Sequence, residues 1–181
     1  MAMPQTKVWT LEELHNLPDD GNRYELLHGE LFVTPAPTFD HEKVIARLHR
    51  LLDQFVMKHG LGYVFSGNSV IHHSGSELVP DLLVRQPGAR GTRWESAATP
   101  ILVIEVLSPT TRRRDREFKK PFYQAEVRVP EYWIVDDERR SITVIRADET
   151  EFVTYDRLTW KPPGTHASLD IALMDVFGNE Q

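Results

Sequence analysis

Ile101-Leu102-Val103-Ile104-Glu105-Val106-Leu107 is the stretch from which the rest of the chain is read. It is apolar at odd and even positions alike apart from one glutamate, the pattern of a strand covered on both faces. Downstream, Glu131-Tyr132-Trp133-Ile134-Val135-Asp136 repeats the pattern. Upstream lies Leu78-Val79-Pro80-Asp81-Leu82-Leu83-Val84, a run broken by one proline and carrying one aspartate. Ser108-Pro109-Thr110-Thr111 turns the chain into a basic segment, 112–127, that reads as helix. Strand, helix and strand in this order imply a sheet with helices packed on it.

Working outward, Val44, Ile45, Leu48, Leu51, Leu52, Phe55 and Val56 form the stripe of an amphipathic helix over roughly 39–59. Thr38 or Asp40 can cap it and Gly60 stops it. Thr10-Leu11-Glu12-Glu13 reads as a capping box on a short helix ended near Pro18. Runs 23–28 and 30–34, around Gly29, read as a β-hairpin. Further strands are expected at 62–66, 69–72, 78–84, 141–146 and 152–155, with a short helical turn closing the tail, 169–177. The whole predicts one α/β domain over 1–181, bordering on α+β. A mixed central sheet is flanked by helices, with an N-terminal hairpin and C-terminal edge strands.

Composition narrows the chemistry. The chain has 181 residues, 40% of them apolar, and no cysteine. A disulfide scaffold, a Cys-ligated zinc site and a thiol nucleophile are therefore excluded. No apolar run approaches the ~20 residues of a membrane span, and the first residues lack a signal-peptide core, so a cytoplasmic protein without membrane contact is expected. The net charge is −6, yet residues 85–120 hold nine Lys and Arg against four Asp and Glu. Such a basic island steers polyanions, or it is simply a solvated loop. On the first reading, Arg112, Arg113, Arg114, Arg116 and Lys120 would contact the polyanion.

Asp81 and Glu105 carry the chemical information. A lone buried carboxylate costs several kcal/mol, so it must be paired, protonated or metal-bound. Two of them on strands that could be neighbours suggest one shared cation, and all-oxygen ligation favours Mg²⁺ or Mn²⁺. The alternative is a salt bridge from Glu105 to one of the nearby arginines. His72-His73 is a weak metal signal, because adjacent strand residues face opposite sides.

Four segments, in one order, resemble a known family: Arg23-Tyr24-Glu25-Leu26-Leu27-His28-Gly29-Glu30, Val79-Pro80-Asp81-Leu82-Leu83, Val103-Ile104-Glu105-Val106-Leu107-Ser108-Pro109, and Val129-Pro130-Glu131-Tyr132-Trp133-Ile134-Val135-Asp136. They look like the bacterial Uma-type family of putative restriction endonucleases, within the PD-(D/E)XK nuclease superfamily. The resemblance implies a restriction-endonuclease-like fold and metal-dependent hydrolysis of DNA phosphodiesters. It implies that Asp81, Glu105 and the carbonyl of Val106 hold the metal. The superfamily lysine would fall at Leu107; here it would come from the following helix as Lys119, orienting water or neutralising the phosphate. Lys120 is a rival, and Pro121 is expected to kink the helix and disturb Lys119. His41, Glu25 and Glu30 match supporting positions, although Glu30 could instead pair with Arg23 across the hairpin. A homodimer is expected by analogy. The competing reading is a nuclease fold without turnover that grips DNA through 112–120.

Overall fold

The computed structural model describes residues 7–109 and 111–178. The capping box is present: Thr10 Oγ1 accepts from the Glu13 N–H at 3.2 Å, and Glu13 Oε2 accepts from the Thr10 N–H at 3.0 Å. It opens α1 (Leu11–His15). The hairpin follows as β1 (Arg23–Leu27) and β2 (Glu30–Thr34). Its turn places His28 at φ 50° and Gly29 at φ 79°. Glycine is favoured at 29 by this left-handed backbone, and a Cβ there would also press on the Val8 side chain at 2.6 Å. The amphipathic helix is α2 (Phe39–Lys58), capped by Thr38, whose side chain accepts from the His41 N–H.

β3 (Tyr63–Ser66) and β4 (Ile71–His73) come next. The run 78–84 does not form the single strand its composition suggests. It is split into β5 (Ser76–Leu78) and β6 (Leu82–Arg85), which belong to different sheets. Proline supplies no N–H to a ladder, so the chain leaves one sheet at Pro80 and enters the other just past Asp81. The doubly buried run is β7 (Leu102–Val106). After a basic helical segment come β8 (Glu131–Asp136), β9 (Ser141–Arg146), β10 (Glu151–Thr154), β11 (Arg157–Trp160) and β12 (Leu169–Ala172). The final helix spans Leu173–Phe177. The pairing of β11 with β12 was not foreseen from the sequence.

The central sheet has six strands in the order β10-β9-β8-β7-β6-β3. Only β7 and β8 run parallel, joined through the basic helical segment; all other neighbours are antiparallel. A smaller sheet, β2-β1-β5-β4, lies beside it. Strand alternation divides the core. Leu82, Val84, Leu102, Ile104 and Val106 pack with the buried stripe of α2 and with Trp133 and Trp160. Leu83, Val103 and Leu107 pack in a second cluster with Phe122, Tyr123, Tyr132 and Leu27. Glu105 has the parity of that second cluster.

The basic segment is helical but not a regular α-helix. Arg112–Arg114 runs into two wide turns, Asp115–Lys119 and Phe122–Glu126. Their hydrogen bonds skip five residues: the Lys120 N–H donates to Asp115 O, and the Val127 N–H to Phe122 O. Pro121 sits between them in helical conformation (φ −61°, ψ −37°). The expected disruption by Pro121 is therefore absent. The helical path already departs from the i→i+4 ladder on both sides of it, so the missing N–H and the ring are absorbed there.

Candidate active site

β6 and β7 pair antiparallel with Leu82 opposite Ile104, and the same register places Asp81 opposite Glu105. Both carboxylates are buried, at the point where β6 begins and β7 nears its end. Asp81 Oδ1 accepts from Arg23 Nη1 at 2.8 Å, and Oδ2 accepts from the Val106 N–H at 2.8 Å. His41 Nε2 lies 3.4 Å from Oδ2 and donates to the Val106 carbonyl at 3.1 Å. His41, Val106 and Asp81 are thus brought together as the sequence suggested. Burial would raise the Asp81 pKa, but the His41 hydrogen bond, the Arg23 charge and the Val106 N–H outweigh it. The carboxyl is held well below the usual range. Asp81 in turn raises the His41 pKa against the opposing effect of burial.

Glu105 lives in a different electrostatic setting. Its Oε1 accepts from Lys119 Nζ at 2.8 Å and from Tyr123 Oη at 2.9 Å. Oε2 takes no hydrogen bond among the described residues, and the residue lines the cleft described below. Burial pushes the carboxyl up to about 8; Lys119 opposes this, but the charges of Asp81, Asp115 and Glu25 add to it. The arginine salt bridge held open for Glu105 is not made; a lysine takes that role.

Of the two lysines, Lys119 and not Lys120 reaches the acid cluster. It is 0% exposed and donates to Glu25 Oε1 as well as Glu105 Oε1, each at 2.8 Å, with Asp115 3.7 Å away. Burial opposes its charge, but these three carboxylates hold its pKa above the ordinary lysine value. Glu25, also 0% exposed, accepts the Val79 N–H at 2.9 Å and so ties down the strand end that carries Asp81. Residues 115, 119 and 123, four apart on the wide turns, all meet this cluster. Lys120 turns outward to Glu151.

Several sequence expectations are redistributed. Glu30 is exposed and opposite Leu27, at the far end of the hairpin from Arg23, so it neither enters the site nor pairs across the hairpin. Arg114, expected on DNA, is 8% exposed; it donates to Thr34 Oγ1 at 2.8 Å and lies 3.4 Å from Glu25. Arg112 is held by Asp136 at 2.6 Å and Glu138 at 2.9 Å. Arg113 pairs with Glu117 on the surface, while Arg116 has no ion pair among the described residues. Arg23 was considered only as a partner for Glu30, and Tyr123 was not singled out. The alternation Arg23-x-Glu25 and the spacing Lys119-x-x-x-Tyr123 were the available signals, since each pair shares a face.

The acid pair opens into a cleft of about 950 Å³ between the hairpin, the start of α2 and the end of β7. Among the described residues no three His, Asp or Glu side chains converge as a metal-binding group. The available donors are two carboxylates and the Val106 carbonyl. No described helix is long and apolar enough to cross a membrane.

No curated protein matches the sequence significantly. A crystal structure of a putative nuclease belonging to DUF820 from Anabaena variabilis ATCC 29413 has the same fold. The TM-score is 0.71 at 18% identity, covering 93% of this chain and 97% of that one. The mixed sheet with its flanking helices is thus a fold shared with that putative nuclease. The family model for Uma2, putative restriction endonuclease, matches residues 11–174, and the chain belongs to that family.

Proposed function

We propose that the protein is an endonuclease that hydrolyses DNA phosphodiester bonds with Mg²⁺ or Mn²⁺ held by Asp81, Glu105 and the Val106 carbonyl. The observation that carries this reading is the pair Asp81, immediately before β6, and Glu105, on the neighbouring β7, both lining one cleft. The donor set suits a hard divalent cation, since every donor is oxygen. The charge suits it too. Four buried carboxylates (Glu25, Asp81, Glu105, Asp115) meet three permanent cations (Arg23, Arg114, Lys119), and the surplus shows in the raised Glu105 pKa. A cation bound there supplies Lewis-acid polarisation of a phosphate and makes water a better nucleophile at neutral pH.

The protein's own groups have separable tasks. Lys119 is fully buried and acts through Glu105, fixing the carboxylate by a 2.8 Å bond while Tyr123 fixes it from a second direction. Glu25 fixes Lys119. His41, with Nε2 between Asp81 and Val106 O, is placed to carry a proton at the cleft. Arg23 reaches the cleft as the counter-charge to Asp81. Arg116, the one arginine of this segment with no ion pair among the described residues, remains as a cation for the backbone of the substrate. The reading as an inactive module gripping DNA through 112–120 has less support, because Arg112, Arg114 and Lys120 already serve intramolecular partners.

The test is cleavage of plasmid and oligonucleotide DNA in Mn²⁺. Wild-type protein should cut and chelation should stop it. Glu105→Gln should lose more than ~10³ in rate, the scale of several kcal/mol of charge stabilisation. Full activity in Glu105→Gln would refute the assignment.

A further inference from the structure

We infer that Arg23 is the side chain that binds the phosphate being cut, a task that Lys119 cannot perform. The inference rests on the nuclease reading above and names the residue through which that site meets its substrate.

Lys119 is excluded by its surroundings. It is fully buried, is not among the residues lining the cleft, and is enclosed by Glu25, Glu105 and Asp115. A phosphate would reach its ammonium only by displacing carboxylates that hold it at 2.8 Å. A lysine held in this way positions Glu105 and touches no substrate.

Arg23 has the opposite setting. Two residues apart on β1, Arg23 and Glu25 share a face. The strand that pins Lys119 through Glu25 therefore also presents Arg23 to the cleft. Arg23 is the only Lys or Arg among the described residues lining that cleft, whose other charged lining groups are carboxylates and histidines. Such walls repel an anion, so a phosphate can be held only where positive charge stands. Arg23 stands at the acid pair itself, its Nη1 2.8 Å from Asp81 Oδ1.

The guanidinium also has donors left over. Of the five N–H groups an arginine carries, the one bond made among the described residues goes to Asp81. Nε is buried without a partner, while the side chain as a whole keeps 27% exposure. A planar fork with unspent N–H groups matches the oxygens of a phosphate, and it can bind them without releasing Asp81. Counter-charge to Asp81 alone would need a single N–H.

The experiment measures DNA cleavage at saturating Mn²⁺, and Mn²⁺ affinity by calorimetry, for wild type, Arg23→Gln and Arg23→Lys. All rates are taken below each variant's melting temperature. Arg23→Gln should lose roughly 10²–10³ in kcat, the loss typical of one preorganised donor. It should bind Mn²⁺ at least as tightly as wild type, because a positive charge beside Asp81 is gone. Arg23→Lys keeps the charge without the fork. It should lose at least ~10-fold in kcat, the worth of one hydrogen bond to a charged group, with Mn²⁺ affinity unchanged. Arg23→Lys decides the matter if Arg23→Gln does not fold. Wild-type kcat in either variant overturns the inference and leaves the nuclease reading intact. So does a loss of kcat matched by a loss of Mn²⁺ affinity, which would make Arg23 a support for Asp81 and nothing more. If wild type cuts no DNA, the nuclease reading fails and the inference falls with it.

Discussion

The two faces of β7 are built from one five-residue strand and meet different worlds. Leu102, Ile104 and Val106 look onto α2 through hydrocarbon alone, and α2 is a regular capped helix of twenty residues. Val103 and Glu105 look onto the segment 112–126, which buries Arg114, Asp115 and Lys119 near Glu105, with Glu25 and Asp81 added from other elements. That segment is deformed into wide turns. Apolar packing is tolerant of how a helix presents its side chains. Buried charge is not, since each ion must find its partner at hydrogen-bond distance or cost several kcal/mol. The irregular helix is the one that has to deliver Asp115, Lys119 and Tyr123 to fixed points.

The contrast can be broken at Lys119 with the largest effect. Lys119→Ala should slow DNA cleavage by roughly 10²–10³. It should also destabilise the fold by ~3–5 kcal/mol, because Glu25 and Glu105 lose a shared buried partner. Lys120→Ala should change neither by much, its partner Glu151 being exposed. Rates measured well below each variant's melting temperature separate the two effects; equal, small losses from both lysines would place the chemistry elsewhere.

The hydrocarbon face should respond in stability alone. Leu48 is fully buried on the inner face of α2, so Leu48→Ala should cost about 2–5 kcal/mol in denaturant unfolding. Its Mn²⁺ affinity, read by calorimetry in the folded range, should match that of wild type. A loss of metal binding would mean that the two faces are energetically coupled.

A smaller effect belongs to pH. Glu105 is pushed to about 8 in the folded protein, above its ordinary value of 4.5. Between these values the folded chain keeps a proton that the unfolded chain releases. The stability of the metal-free protein should therefore fall as pH rises from about 5 to 8, by up to ~1.4 kcal/mol per unit. Asp115, also raised by burial, adds the same sign. Unfolding in the presence of chelator checks this, and Glu105→Gln should remove most of the slope. A flat profile in wild type would mean that Glu105 is ionised without a metal.

Much of this was readable from residues. The stripe Val44 to Val56 specified α2, and the Thr10–Glu13 box specified α1, because each is a local pattern with one structural solution. Glu105 in an apolar strand and Asp81 beside a proline marked the site, since burying an acid demands a reason. What escaped was non-local. The reassignment of 76–85 to two sheets depends on partners far along the chain, and the proline marked only where the break falls. Arg114 looked like a DNA contact because charge composition does not reveal that a helix face is turned inward toward Thr34 and Glu25. Pro121 looked disruptive because a regular helix was assumed around it.

Asp81 and Glu105 have opposite pKa perturbations, one stabilised as an anion by Arg23 and His41, the other held toward its neutral form. Calorimetric titration of Mn²⁺ into wild type, Asp81→Asn and Glu105→Gln at neutral pH asks whether they nevertheless serve one cation. Wild type should bind with release of protons from Glu105, and each substitution should weaken binding by more than ~10-fold, since affinity at such sites follows ligand charge. Wild-type affinity in either variant would contradict a metal shared between Asp81 and Glu105.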